Sequence, residues 1–86
     1  MSLEVYRKKI NALDEQLLLL LAQRLEICRE IAGYKHKNNL SIQDSNREQE
    51  IIKTRIKKFK ELGFDDQEFI TALFELVMDK SREVQQ

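Results

Sequence analysis

Residues 3–37 read LEVYRKKINALDEQLLLLLAQRLEICREIAGYKHK, and this stretch decides the fold. Its apolar residues return at helical spacing through Ile10, Leu13, Leu17, Leu20, Leu21, Ile27 and Ile31. Gly33 costs about 1 kcal/mol against alanine inside a helix and could stop or bend it, but the preferred end is Lys37, before Asn38-Asn39. At 1.5 Å per residue this helix is about 50 Å long, whereas a compact chain of this size has a radius of gyration of about 12 Å. It therefore overhangs any core its own chain can build. Pairing with a copy across a two-fold axis would cover both ends, so the helix length itself predicts a homodimer.

Outward from that helix, Asn38-Asn39-Leu40-Ser41-Ile42-Gln43-Asp44 is short and polar, a loop rather than a linker between domains. Ser45-Asn46-Arg47-Glu48 has the form of a capping box, with Ser45 as the cap and Glu48 reaching back, and predicts the start of a second helix. That helix carries Ile51, Ile52, Ile56, Phe59 and Leu62 inward and stops at Gly63, a residue that readily takes the left-handed conformation past a helix end. Asp65 or Asp66 then caps a third helix over Gln67 to Val84, with Phe69, Ile70, Leu73, Phe74, Val77 and Met78 on one face. The expectation is an all-α fold: one domain over 1–86, three helices per chain, and an intertwined six-helix homodimer.

Composition narrows the setting. Fifteen basic and fifteen acidic side chains cancel, so no net field draws the chain to nucleic acid or a membrane. The single Cys28 cannot form an internal disulfide, no apolar run is long enough to span a bilayer, and the first residues lack a signal-peptide pattern. A cytoplasmic protein is expected.

The informative residues are polar ones standing where leucine belongs. Leu3, Ile10, Leu17, Arg24 and Ile31 are seven apart, so Arg24 sits on the core-facing stripe and needs an anion. Arg7, Asp14, Leu21, Cys28 and Lys35 form the adjacent column. Arg7 and Arg24 lie about 25 Å apart along one helix, too far to share a small ligand. In an antiparallel pair with its axis near Leu17 to Leu19, Arg7 of the partner subunit would fall opposite the Arg24-to-Lys35 segment, bringing three cations to each of two sites. Ser81 and Gln85 end the apolar face of the third helix as polar donors, and Arg47 and Glu48 open the second. Taken singly, each has a plain structural reading: Arg24 paired with Glu26 or Glu30, Arg7 and Lys35 solvated, Ser81 and Gln85 a frayed end. Cys28 reads as a small buried hydrophobe and His36 as a surface residue, and neither is assigned a role.

These residues resemble the all-helical, type II class of chorismate mutases over nearly the whole chain. The first-helix run Arg7-Lys8-Lys9-Ile10-Asn11-Ala12-Leu13-Asp14 with Leu17-Leu18 and Arg24, followed by Lys35, is similar to that family's pattern. So are Ile42-Gln43-Asp44-Ser45-Asn46-Arg47-Glu48, although Ser41 stands where proline is usual, and the final Ser81-Arg82-Glu83-Val84-Gln85. The resemblance implies a site made of Arg7 from the partner chain with Arg24, Lys35, Asp44, Arg47, Glu48, Ser81 and Gln85. It implies rearrangement of chorismate to prephenate on the route to phenylalanine and tyrosine, with no metal and no cofactor. A single-activity chain is expected, with room to dock onto another shikimate-pathway enzyme. Two rivals are isochorismate–pyruvate lyase, of the same fold, and a noncatalytic helical interaction module.

Overall fold

The computed structural model describes residues 2–41 and 44–86. The order is α1 (Leu3–Lys37), α2 (Ser45–Glu61) and α3 (Gln67–Gln85), and the described residues contain no strand. The all-α expectation holds, with α1 ending where the sequence put it and α3 one residue longer at its C-terminus. Ile42 and Gln43, part of the loop motif above, lie outside the described residues.

The helix ends follow from local chemistry. Ser2 caps α1, its side chain accepting from the Val5 amide at 3.3 Å. At the other end Asn39 takes φ 55°, so the Leu40 amide turns back to the Lys35 carbonyl (2.8 Å) and the Asn39 amide to that of His36 (3.3 Å). Two of the last carbonyls are thereby satisfied. Gly63, at φ 105°, repeats the device after α2: the Gly63 amide donates to Lys60 and the Phe64 amide to Phe59. The Phe64 ring stacks on Phe59 with centroids 5.3 Å apart, the hydrophobic contact that accompanies this turn. Asp66 caps α3 by accepting from the Phe69 amide at 3.0 Å.

One cap differs from expectation. Asp44, not Ser45, caps α2, its Oδ1 accepting from the Arg47 amide at 3.0 Å, and Ser45 is already helical. With Asp44 as the cap, Glu48 stands four residues on rather than the three a capping box needs, and Arg82 of α3 holds both of its carboxylate oxygens.

Helix α3 packs on both α1 and α2, while among the described residues α1 and α2 make no packing contact with each other. The chain measures 55 × 24 × 16 Å, and its radius of gyration of 16.1 Å exceeds the roughly 12 Å of a compact chain this long. Among the described residues Cys28, Ile70, Met78 and Ser81 are buried, whereas Ile10, Leu13, Leu17, Leu18, Leu19 and Leu20 are each more than half exposed. The α1 stripe expected to face a core thus faces open solvent over its N-terminal half, since nothing in one chain reaches that far.

Candidate active site

The gap between α1 and α2, floored by α3, is a cleft of about 500 Å³. Each helix gives it one stripe at helical spacing: Arg24, Cys28, Ile31 and Lys35 from α1, Glu48, Ile51 and Arg55 from α2, and Met78, Ser81 and Gln85 from α3. Asp44, Arg47 and Arg82 complete the polar wall. Seven of the eight residues singled out in the sequence therefore meet in one place. The eighth, Arg7, lies 17 positions before Arg24 on the same straight helix, about 25 Å away, and is exposed.

The side chains are tied as follows. An Arg24 Nη1 hydrogen points to the Ser81 Oγ at 2.5 Å and a second contact reaches the Cys28 Sγ at 3.9 Å. The Ser81 hydroxyl in turn donates to the Val77 carbonyl at 2.8 Å, which leaves its oxygen as an acceptor aimed at Arg24. Neither contact neutralises the guanidinium. Glu26, offered above as a partner for Arg24, pairs with Arg29 instead at 3.1 Å, and among the described residues Glu30 makes no ion pair with Arg24. Both acids sit on exposed positions of α1, off the stripe that carries Arg24. Ser81 is buried, so the frayed-terminus reading fails for it.

Gln85 donates through Nε2 to the Ser81 carbonyl at 3.0 Å, while its Oε1 is buried with no hydrogen-bond partner. A side-chain amide has two N–H groups and two acceptor positions, so half or more of its capacity remains unused. Lys35 lines the cleft and also a neighbouring hollow formed with Leu40, Ser41, Asp44, Ser45 and Asn46. Arg47 lines the cleft and forms no ion pair with Asp44 or Glu48 among the described residues.

Sequence reasoning missed Arg82. Its guanidinium holds both oxygens of Glu48, one at 2.7 Å, and also pairs with Asp79 one turn back on α3. It missed Arg55 too, which enters the cleft while its guanidinium lies 5.9 Å from the centre of the Phe74 ring. The Asp79-Arg82 spacing of three is the one local signal that could have drawn attention to Arg82. In all, five cations (Arg24, Lys35, Arg47, Arg55 and Arg82) face two carboxylates (Asp44 and Glu48) across the cleft. A surplus of positive charge in a partly enclosed hollow is suited to a small, multiply charged anion.

The family model for chorismate mutase type II matches residues 6–86 of this chain. The chain belongs to that family. It is 38% identical over 80 residues to the bifunctional chorismate mutase/prephenate dehydratase of Escherichia coli, an alignment covering 93% of this chain and 20% of that protein. The corresponding protein of Buchnera aphidicola subsp. Acyrthosiphon pisum is 35% identical over 80 residues, with the same coverage of 93% and 20%. The chorismate mutase of Methanocaldococcus jannaschii is 29% identical over 79 residues, covering 92% of this chain and 79% of that protein. This type II chorismate mutase family member thus spans about a fifth of the bifunctional relatives and most of the archaeal one.

Proposed function

We propose that the chain rearranges chorismate to prephenate in aromatic amino-acid biosynthesis, as a homodimer whose two clefts are each completed by Arg7 of the partner subunit. The observation that carries this reading is the meeting of Arg24, Lys35, Arg47, Ser81 and Gln85 in one cleft with more cations than acids. Family membership over residues 6–86 supports the same reaction. The dimer is supported by the exposed leucines of α1, which a second copy running antiparallel would cover.

The chemistry asks for these groups and for little else. A Claisen rearrangement is intramolecular and moves no proton, so the protein needs neither a nucleophile nor a general base. The cost lies in folding the enolpyruvyl arm over the ring, and holding a reactant in that geometry recovers part of it. Arg24 and Arg7 of the partner subunit grip the two substrate carboxylates, since planar guanidinium groups form forked, charge-assisted bonds that fix orientation. Ser81 steers Arg24 by accepting its Nη1 hydrogen. In the transition state the carbon–oxygen bond breaks ahead of carbon–carbon bond formation, and negative charge gathers on the ether oxygen. Lys35 and the second Nε2 hydrogen of Gln85 donate to that oxygen, already in place before charge develops. Glu48, with lone pairs beyond those held by Arg82, and the backbone near Asp44 take the ring hydroxyl. No metal or cofactor enters this scheme, and the setting is the cytoplasm.

The test is loss of chorismate absorbance with identification of the product, comparing wild type with Lys35→Ala. Wild type is expected to form prephenate, and the variant to lose about 10²–10³-fold in kcat, the scale of removing one donor to a developing oxyanion. Release of pyruvate from isochorismate, with chorismate untouched, would replace the mutase by the lyase. Inertness toward both would leave an interaction module.

A further inference from the structure

Glu48 is, with Asp44, one of two acids in a cleft whose cations suit an anion. Left alone, its carboxylate would repel a dianion and would be drawn toward whichever cation of the cleft it could reach. Its side chain is 20% exposed, so solvent screens it little, and Arg47 stands one residue away on the same helix. What holds it is Arg82, whose side chain is 27% exposed and whose guanidinium meets both Glu48 oxygens while Asp79 fixes it from behind. Arg82 neighbours Ser81 in sequence and sits on the opposite side of the cleft floor from the Arg24–Ser81 pair, so one helix braces a group on each wall.

We infer that Arg82 is a positioning residue for the proposed rearrangement: it compensates the charge of Glu48 and aims that carboxylate at the substrate's ring hydroxyl. The inference rests on the mutase reading and deepens it. Because Nη1 meets both oxygens while Nη2 is taken by Asp79, the carboxylate is held facing Arg82, yet each oxygen keeps a lone pair for a further donor. Arg82 acts through Glu48, and a misplacement of that acid by about 1 Å is enough to cost up to a hundredfold.

The experiment is a double-mutant cycle on the full chain with chorismate, using Arg82→Met, Glu48→Gln and the pair, with Arg82→Lys as the conservative variant and thermal unfolding recorded for each. The expected result is a fall in kcat/KM of about ten- to a hundredfold for Arg82→Met, carried in kcat as well as KM, and a comparable fall for Glu48→Gln. The pair then loses no more than the worse single variant, and Arg82→Lys recovers part of the loss. Losses that multiply in the double variant, or a loss confined to KM that Glu48→Gln does not share, would mean that Arg82 binds substrate on its own account and would overturn the role. Equal activity of all folded variants would overturn it as well. A wild type that leaves chorismate unchanged overturns the mutase reading and this role with it, whereas an active wild type with independent losses sinks only the role of Arg82.

Discussion

Arg24 donates to a hydroxyl and contacts a thiol, and neither can balance a full positive charge that is half-buried between α1 and α3. A charge kept there without a carboxylate costs stability, so its replacement by an apolar chain of similar length should relieve the fold while disabling the site. Arg24→Met is expected to melt at or above the wild-type temperature and to lose roughly a hundredfold or more in kcat/KM, the value of two charge-assisted hydrogen bonds at about 1.5–3 kcal/mol each. A calorimetric scan beside a steady-state assay would read both. The position of Arg24 was legible in the sequence because seven residues turn a helix almost twice, returning it to the stripe of Leu17 and Ile31. Arg82 was not legible in that way. Its partner Glu48 is 34 positions distant, and helical periodicity describes one element at a time, with nothing to say about which side chain of α3 meets which of α2.

Between elements, the two aspartate caps invite comparison. Asp44 and Asp66 make the same bond, each accepting from the amide three residues on at 3.0 Å, but Asp44 also borders the cleft whereas Asp66 does not. Asp66→Ala should cost about 1 kcal/mol of stability and leave the rate unchanged, while Asp44→Ala should cost the same stability and lower kcat/KM besides. Chemical denaturation with parallel rate measurements separates the two. Likewise Gly63, at φ 105°, should resist substitution: Gly63→Ala is expected to destabilise by about 1–2 kcal/mol, visible as an earlier urea midpoint. Where the helices stop was readable from Asn38-Asn39 and Gly63. The register of the second cap differs by one residue, since Asp44 and Ser45 are both good caps and helical spacing does not choose between them; in the structure Asp44 takes the Arg47 amide.

At the scale of the whole molecule, the length of α1 stated the problem and the exposed leucines state it again in three dimensions. In the proposed antiparallel dimer each site draws Lys35 from one copy and Arg7 from the other, and two crippled proteins should repair each other. Arg7→Ala and Lys35→Ala, each nearly inactive alone, are expected to regain about a quarter of wild-type activity when mixed in equal amounts and allowed to exchange subunits, since half the dimers are then mixed and each holds one intact site. No regain after exchange, followed by sedimentation, would show that the sites are not shared. That all three helices would each send a stripe to one gap was only partly foreseeable. The sequence supplied the stripes, but that α1 and α2 stand apart on α3 is a property of how the helices pack.

Cys28, Met78 and Ser81 are three of the four side chains buried among the described residues, and all three are also walls of the cleft. Most of what one chain buries by itself is therefore also part of its cleft, Ile70 being the exception. In most enzymes a scaffold can drift while the reacting groups are held constant, because different residues answer to the two demands. Here one small set answers to both, so a substitution that repacks the centre also reshapes the cavity. Evolution on this frame is correspondingly constrained around the cleft, and its freedom to vary lies on the helix faces that border neither the cleft nor the proposed dimer seam.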